Sequence, residues 1–551
     1  LHLCDRRQRQ MCIRDSIIIS AILSAVTFAG TGCSGFLDEE MKSTLGPDNT
    51  YNSSYGFELA ATGLYGWARS EFNTWGGATT SQGQACPYEM FQIATDIVHQ
   101  GQQMDGSLTP FEKLSYTPST TFVVSYWNWG YGLISSANEL LKYSEINTNW
   151  DNESDKLLYQ ATARFFRAYA YRYLVYLYGD VPFVEKIETD YRTDFTRTPK
   201  NEVLDKMIED LIFAENNLPT DPDKVEPGKL TTWAAKHLLS EVYLMAGKYD
   251  DAKKKADEVI NCGYFHLMQQ NERFGEYKDM PGDVFYDMFA ENNQNRTSGN
   301  MESIWVMQLE YKTDGGGGSS EDWTRRAWNP RYWDKLQGFV LADTLGGRGL
   351  AQIVPLSWWI EDNKDFYDEG DIRNSEYNIK RHWYYNDPQY PDLLGKEAPI
   401  TESTREKNQI YPVITKFFYG KADDLQYTGS NKDRIKFRLA ETYLLKAEAC
   451  IQLNDYDGAK DAINEVRKRA GASEISSSQV TMDFLLDERI RELIGEELRR
   501  FTLARTGKWL DRVKKYNSYS AHMDEHNLLL PIPQYIIDLN TGAEFPQNPG
   551  Y

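Results

Sequence analysis

Residues 244–253, Leu-Met-Ala-Gly-Lys-Tyr-Asp-Asp-Ala-Lys, decide the fold, because the pattern returns at residues 451–460 as Ile-Gln-Leu-Asn-Asp-Tyr-Asp-Gly-Ala-Lys. Each copy follows a segment rich in Ala, Leu and Tyr with helical periodicity, and each leads into a second such segment. Small residues allow paired helices to approach closely, and we expect the shared tyrosine, Tyr249 or Tyr456, to fill the gap at the turn. The sequence therefore predicts two copies of one helix-turn-helix unit.

Both copies have the pattern of tetratricopeptide repeats, whose stacked helix pairs form a continuous scaffold. Residues 157–178 have apolar and aromatic residues at both three- and four-residue spacings, which predicts a helix that is buried on most sides. The following Gly-Asp-Val-Pro, residues 179–182, predicts a clean end of this helix. The predicted fold class is therefore mainly α, with a tetratricopeptide-like helical scaffold over about residues 51–265 and 431–515 and a C-terminal segment at 516–551.

The helical scaffold is interrupted by residues 266–430, where helical periodicity is poor. Residues 303–309 and 413–419 have the composition of short strands. Seven of the fourteen tryptophans lie in this region, and binding sites are usually found on loops that a rigid scaffold carries. We therefore expect a long, loop-rich insertion that carries short strands and the ligand face.

The charge of the chain disfavours one class of partner. The 551 residues include 60 Lys and Arg against 81 Asp and Glu, which gives a net charge of −21. A protein this acidic repels phosphate backbones and anionic lipid surfaces. We therefore expect no nucleic-acid partner, and a neutral or cationic ligand. Aromatic residues make up 13% of the chain, and their rings serve both as stacking surfaces for sugars and as ordinary core residues.

Residues 1–32 have the features of an upstream segment and a secretory signal. The apolar run from Ile17 to Gly30 is shorter than the roughly 20 residues that a membrane-spanning helix requires. It is followed by Thr-Gly-Cys, the pattern of a bacterial lipoprotein cleavage site. We expect removal of residues 1–32, acylation of Cys33 and a lipidated tether over residues 33–50. A plain signal peptide before an incidental cysteine is the alternative.

Two patterns that could indicate catalysis have simpler structural interpretations. Glu488 and Arg491 lie at helical ion-pair spacing. Glu496 and Arg500 do so as well, and we therefore predict a ladder of ion pairs along one helix, not the facing carboxylates of a glycosidase. Residues 522–526, His-Met-Asp-Glu-His, formally match a zinc-protease pattern, but no long apolar helix surrounds them. We expect no catalytic site, no metal and no other cofactor.

Further motifs together identify a family. In chain order they are Cys33-Ser34-Gly35-Phe36-Leu37-Asp38, Asn138-Glu139-Leu140, Ala163 to Tyr171, Leu177 to Pro182, Arg197-Thr198-Pro199, Asp371-Ile372-Arg373, Arg438 to Leu444, Asn464 to Arg467, Leu530-Pro531-Ile532-Pro533 and Gln547 to Tyr551. Their combination resembles the SusD/RagB family, the outer-membrane nutrient-binding lipoproteins of Bacteroidetes, over the whole chain from Cys33 onwards. They are scaffold motifs, so they identify the fold well and the ligand hardly at all.

The resemblance implies a binding protein and not an enzyme. Such a protein captures a nutrient, an oligosaccharide or polysaccharide, at the cell outer membrane, where its lipid anchor holds it facing the outside. The resemblance also implies a partner, a SusC-like TonB-dependent outer-membrane transporter over which the lipoprotein lies like a lid. Some members capture peptides, so a peptide ligand is an open alternative. A glycoside hydrolase with a helical frame and a helical protein-interaction scaffold are the other hypotheses.

Aromatic residues in predicted loops, beside amides or charges, are the candidates for ligand contact. A flat ring stacks on the face of a sugar, and polar neighbours fix its orientation. Residues 72–77 and 323–333 have this composition. The candidate ligand-binding residues are Asn73, Trp75, Trp323, Arg325, Trp328, Tyr332 and Trp333.

Overall fold

The structure is a computed structural model that describes residues 50–72, 87–101, 108–187, 191–317, 322–361, 365–427 and 429–551. Within these residues, no helix combines the length and the apolar character that crossing a bilayer requires. Cys33, Asn73 and Trp75 lie outside the described residues, so what the sequence predicts for them stays a prediction.

Helices dominate the chain on both sides of the insertion. Before it lie α1 (Ser54–Arg69), α2 (Thr109–Glu112), α3 (Thr121–Ile146), α4 (Glu153–Tyr178), α5 (Lys200–Asn217), α6 (Thr232–Met245) and α7 (Tyr249–Ile260). The insertion carries the short helices α8 (Val284–Phe289), α9 (Thr324–Trp328), α10 (Ser357–Ile360) and α11 (Glu402–Glu406). After it lie α12 (Leu439–Gln452), α13 (Tyr456–Ala470), α14 (Met482–Leu493), α15 (Arg499–Arg505), α16 (Trp509–Tyr516) and α17 (Gln534–Leu539). These elements confirm the mainly α-helical fold class.

The strands of the described residues are short and pair in twos. They are β1 (Val98–Gln100), β2 (Ser303–Met307), β3 (Ile353–Pro355), β4 (Ile379–Lys380), β5 (Trp383–Tyr384), β6 (Glu397–Ala398), β7 (Val413–Ile414) and β8 (Arg434–Arg438). The antiparallel pairs are β1 with β3, β2 with β8, β4 with β7, and β5 with β6. The strand predicted at residues 303–309 is present as β2. The one predicted at residues 413–419 ends at Ile414, because the chain turns there and the Phe418 amide donates to the Thr415 carbonyl at 2.8 Å.

Helix α4 lies at the centre of the core. From Gln160 to Tyr178 every residue except Arg164 is buried, which confirms the predicted burial on most sides. The Tyr173 hydroxyl donates to the buried Glu71 carboxylate at 2.6 Å, so a polar atom inside this aromatic core is hydrogen-bonded. Gly179 ends the helix with φ at 75°, a backbone conformation that favours glycine.

The two repeat copies form the predicted helix pairs, α6 with α7 and α12 with α13. Helix α12 packs against α7, so the two copies are neighbours in space although the insertion separates them in sequence. The Ser240 hydroxyl donates to the carbonyl of buried Ala252 at 2.9 Å, which shows how small residues bring α6 and α7 together. The shared tyrosine of the second copy is less buried than expected. Tyr456 is 43% exposed, and its hydroxyl donates to the Asn454 side chain of the turn at 3.3 Å.

A buried ion network joins the insertion to helix α14. Arg373 of the insertion donates to Glu488 at 2.7 Å and to Glu492 at 3.1 Å. Burial acts to raise the pKa of Glu488, but the guanidinium groups of Arg373, Arg491 and Arg467 outweigh it and lower that pKa to about 2. These carboxylates therefore hold the fold together and are unsuited to donating protons in catalysis.

The predicted ladder of ion pairs is only partly present. The Glu488–Arg491 pair is confirmed, with 2.8 Å between Nη1 and Oε2. The Glu496–Arg500 pair is wrong, because α14 ends before residue 496 and the two residues do not share a helix. Glu496 instead accepts a hydrogen bond from Arg438 at 2.6 Å.

Candidate functional site

Three of the predicted ligand-binding residues lie in the interior. Trp328 and Tyr332 are completely buried, and Arg325 is 1% exposed. The Tyr332 hydroxyl donates to the Ala342 carbonyl at 2.8 Å. Arg325 donates to the Tyr427 carbonyl at 2.6 Å. These three side chains therefore support the backbone of the insertion, and their contact with a ligand stays a prediction.

Trp323 and Trp333 are half-buried. The Arg326 guanidinium lies 4.6 Å from the centre of the Trp323 ring. The Arg348 guanidinium lies 5.2 Å from the centre of the Trp333 ring, whose indole nitrogen donates to the Gly349 carbonyl at 3.0 Å. Both rings thus have an arginine at one face, and their contact with a ligand stays a prediction.

A cleft of about 580 Å³ lies where β1, β3, α10, α11 and the end of α16 meet. A volume of this size accommodates a drug-sized ligand. We name it the aromatic cleft after its rings, His99, Trp358, Tyr411, Tyr516 and Tyr519. Its polar side chains are Gln100, Ser357, Glu361, Arg405, Glu406, Asn408 and Ser518.

Two stacked ring pairs line the aromatic cleft. Trp358 of α10 and Tyr516, the last residue of α16, have ring centres 3.9 Å apart and planes at 18°. His99 of β1 and Tyr519 have ring centres 4.3 Å apart and planes at 8°. Tyr519 is 44% exposed, so an apolar ring face beside polar groups is open to a ligand.

An ion cluster behind the cleft fixes the first ring pair. The buried Asp96 carboxylate accepts hydrogen bonds from Arg499 at 2.7 Å and from Arg512 at 2.5 Å. The Arg512 guanidinium lies 5.0 Å from the centre of the Tyr516 ring, and the Asp96 carbonyl accepts from the Trp358 indole at 2.6 Å. Burial acts to raise the pKa of Asp96, but the two guanidinium groups outweigh it and hold that pKa well below its usual range.

The β1–β3 pair positions the second ring pair. His99 lies opposite Val354 in the ladder, and the Gly101 amide continues it by donating to the Gln352 carbonyl at 2.9 Å. A Cβ atom on Gly101 would lie 2.3 Å from the Ala351 carbonyl oxygen, so this close approach requires glycine. Burial lowers the pKa of His99, which keeps its imidazole neutral at pH 7.

The charged and the neutral side chains of the cleft differ in their hydrogen bonds. Arg405 and Glu361 bind each other through two hydrogen bonds of 2.5 and 2.6 Å. By contrast, the side chains of Gln100, Ser357 and Asn408 make no hydrogen bond within the described part of the chain. The cleft therefore offers neutral donors and acceptors to a ligand.

A second concavity, of about 340 Å³, lies between α3, α17 and the segment around Phe195. We name it the apolar groove after its lining, Trp127, Tyr131, Pro182, Val184, Phe195, Ile536, Leu539 and Phe545. Two of its polar side chains bind neighbouring protein groups. Asn540 donates to the Phe195 carbonyl at 2.8 Å, and Asn128 accepts from the Tyr535 hydroxyl.

The zinc-protease pattern at residues 522–526 does not form the helical turn that a metal site requires. The second histidine belongs to a 3₁₀ turn, Glu525–Leu528. His522 contacts the Lys113 carbonyl at 3.0 Å. Across the ranges that the structure describes, His, Cys, Asp and Glu side chains form no group suited to hold a metal ion.

None of the four stacked rings is among the candidates that the sequence provides. The sequence could have indicated Trp358, since this residue belongs to the tryptophan-rich insertion. His99, Tyr516 and Tyr519 lie outside the insertion and far from Trp358 in the chain. Composition gives no indication that they converge, because tertiary packing alone brings them together.

Two family models match this chain. The model described as "SusD family" matches residues 284–551. The model described as "Starch-binding associating with outer membrane" matches residues 73–244. The four stacked rings of the aromatic cleft all lie within the matched residues.

Curated relatives match over most of their length. A SusD-like protein, P25, of Formosa agariphila is 23% identical over 544 residues, which cover 93% of this chain and 95% of that protein. The starch-binding protein SusD of Bacteroides thetaiotaomicron is 25% identical over 494 residues, which cover 84% of each chain.

Solved structures share the fold. Surface glycan-binding protein A from Bacteroides thetaiotaomicron has a TM-score of 0.69 at 20% identity and covers 91% of this chain and 100% of its own. The same protein is similar in its complex with laminarihexaose, with a TM-score of 0.68. A laminarin-binding SusD-like protein has a TM-score of 0.65 at 23% identity and covers 90% of this chain and 99% of its own. The two family-model matches, over residues 73–244 and 284–551, show that the chain belongs to the SusD/RagB family of non-catalytic binding proteins.

Proposed function

We propose that this protein captures an oligosaccharide or polysaccharide in the aromatic cleft without cleaving it. One observation carries the proposal: two stacked ring pairs stand beside neutral side chains that have no hydrogen-bond partner within the described residues. A sugar ring has an apolar C–H face and a rim of hydroxyl groups, so it needs both kinds of surface at once. Relatives named for starch, laminarin and surface glycans support the same conclusion.

The aromatic residues and the amides of the cleft have different roles in binding a sugar. Tyr519 and Trp358 offer ring faces to the apolar side of a sugar. The Gln100 and Asn408 amides can both donate and accept, as sugar hydroxyls do. Asn408 has φ at 54°, a left-handed conformation that Asn tolerates better than most residues. A rigid set of neutral partners loses little conformational freedom when a ligand binds.

Anchoring and delivery complete the proposal. Acylation of Cys33 would tether the protein to the outer membrane, facing outside, through residues 33–50. From there the cleft would deliver its ligand to a SusC-like TonB-dependent outer-membrane transporter. Asn73 and Trp75 stay proposed as additional ligand contacts, as do Trp323 and Trp333 on the surface of the insertion.

Native affinity electrophoresis tests the capture of glycans. Residues 34–551 are run through gels that contain single polysaccharides, and reducing ends are assayed in the same mixtures. We expect one class of glycan to retard the protein without the appearance of new reducing ends. Retardation by none of them would contradict glycan capture and favour the peptide alternative. Release of reducing ends would identify an enzyme instead.

A further inference from the structure

We infer that the aromatic cleft selects uncharged saccharides over anionic ones, and that the Glu361–Arg405 pair enforces the selection. The inference rests on the proposed function, because it names the chemical class of glycan that the same cleft takes. It is carried by the charges of the lining side chains and by the partners that those charges already have.

Arg405 is the only Lys or Arg among the described residues that line the cleft. Both terminal nitrogens of its guanidinium donate to the two carboxylate oxygens of Glu361, at 2.5 and 2.6 Å. This two-bond geometry is the one with which arginine binds the carboxylate of a uronic acid or the sulfate of a sulfated sugar. Glu361 therefore occupies the anion-binding edge of Arg405 in advance.

The pair lies where a ligand can meet it. The Arg405 side chain is 41% exposed and the Glu361 side chain 24% exposed. Residues 361 and 405 come from the ends of α10 and α11, so the pair bridges two elements of the rim. An anionic ligand would have to displace Glu361, because within the described lining no other guanidinium or ammonium group is at hand.

The remaining charges of the cleft also disfavour an anion. Glu406 is exposed beside Arg405, and its carboxylate makes no hydrogen bond within the described part of the chain. The imidazole of His99 is neutral at pH 7, since burial lowers its pKa. One positive and two negative side chains leave the lining with a net charge of −1.

Cations also lie close to the cleft but outside its lining, and exposed Lys407, between Glu406 and Asn408 in the chain, is one of them. Arg512 is engaged with Asp96 at 2.5 Å and with Asp487 at 2.5 Å. The Lys515 ammonium lies 4.7 Å from the centre of the Tyr516 ring. None of these cations belongs to the described lining, so the selection depends on Arg405 and its partner.

A neutral sugar meets no such obstacle. Its hydroxyl groups can bind the Gln100, Ser357 and Asn408 side chains while the Glu361–Arg405 pair stays intact. An anionic glycan must break the Glu361–Arg405 pair on entry, whereas a neutral glycan leaves the pair intact. Breaking the pair carries a desolvation cost, because it leaves the carboxylate without its arginine. The ion pair therefore disfavours anionic glycans on an aromatic surface that would otherwise accept both classes.

Removing the two carboxylates of the rim tests the inference directly. The double variant Glu361→Gln with Glu406→Gln removes both carboxylate charges and leaves Arg405 unchanged but without its ionic partner. The matched control adds Arg405→Gln to this variant, which removes the cation and changes nothing else. Laminarin serves as the neutral probe and polygalacturonate as the anionic probe, in affinity electrophoresis at low and high salt. Thermal melting of each variant monitors the fold.

We expect that polygalacturonate does not retard the wild type. The double variant should bind polygalacturonate at least about tenfold more tightly than the wild type does, the gain expected from one added charge-assisted hydrogen bond. The gain should vanish in the triple variant and at high salt, which screens exposed charges. Equal binding of wild type and double variant to polygalacturonate would overturn the inference. If the wild type still binds laminarin in that case, the proposed function stands. Failure of the wild type to bind any polysaccharide of the panel would overturn both.

Discussion

The aromatic cleft and the apolar groove are both concave and both rich in aromatic rings, yet they suit different ligands. The groove, lined by Trp127, Phe195 and their neighbours, directs its amides to other protein groups, as Asn540 does towards Phe195. In the cleft, neutral side chains such as that of Gln100 make no hydrogen bond to any residue that the structure describes. The comparison teaches that aromatic content alone does not identify a sugar site. Unengaged polar atoms beside the ring faces distinguish it.

The two concavities also differ in how they are built. The cleft rests on a buried ion cluster, in which Asp96 holds Arg499 and Arg512 behind the stacked rings. The groove rests on packing between apolar side chains. A polar support of this kind fixes side chains in one geometry, because a buried carboxylate tolerates few other arrangements of its partners. Changes to the cluster should therefore affect the cleft and spare the groove.

The largest effect is expected from Asp96→Asn. It leaves two buried guanidinium groups without their shared carboxylate, so the free energy of unfolding should fall by about 3 kcal/mol at pH 7. Glycan binding should weaken as well, since the rings lose their support. Urea unfolding at pH 7 measures the first effect, and affinity electrophoresis the second. An unchanged unfolding midpoint would contradict the role assigned to the cluster.

The same variant has a predicted pH dependence. The folded-state pKa of Asp96 lies below its ordinary value of 3.8, so the stabilisation is complete above about pH 4 and is lost as the pH falls towards the folded-state pKa. The difference in melting temperature between wild type and Asp96→Asn should therefore shrink as the pH is lowered from 5 to 2. A difference that grows on acidification would show that Asp96 is not ionised in the folded protein.

The next effect is expected from Trp358→Ala. Loss of the indole face should cost about 2 kcal/mol of binding free energy, or about thirtyfold in Kd. Leu539→Ala, in the apolar groove, is the matched control and should leave Kd unchanged. Isothermal titration with the oligosaccharide that retards the wild type measures both. An equal loss in the two variants would remove the distinction between cleft and groove.

A smaller effect is expected from Tyr519→Ala. Its ring is partly exposed and stacks on His99, so its loss should weaken binding about tenfold with little change in stability. Tyr55→Ala is its matched control, because Tyr55 is a tyrosine exposed on α1, away from the cleft. The melting temperatures of both variants should stay close to that of the wild type. Full affinity in Tyr519→Ala would remove the second ring pair from the site.

Most of the fold could be predicted from the sequence, because local pattern and burial agree there. The repeat at residues 244–253 and 451–460 predicts both helix pairs, and the spacing in residues 157–178 predicts the buried helix α4. Two local contacts could not be predicted in this way. Glu496 binds Arg438 because α14 ends before residue 496, and Tyr456 is 43% exposed while its hydroxyl bonds to Asn454 of the turn.

The site could not be predicted in the same way. Tryptophans in a loop-rich region have the same composition whether they face solvent or the interior, and Trp328 faces the interior. The Asp96 cluster brings Trp358 and Tyr516 together, and the β1–β3 pair positions His99; both are contacts between segments that are distant in the chain. No local pattern encodes such a convergence, so only the structure identifies the cleft.

The most direct test of the account is a crystal structure of the protein with the oligosaccharide that retards it in the gel. We predict sugar density in the aromatic cleft, with one ring against Tyr519 or Trp358 and hydroxyl groups bound to Gln100 and Asn408. Density in the apolar groove or on the helical repeats, with an empty cleft, would contradict the central claim.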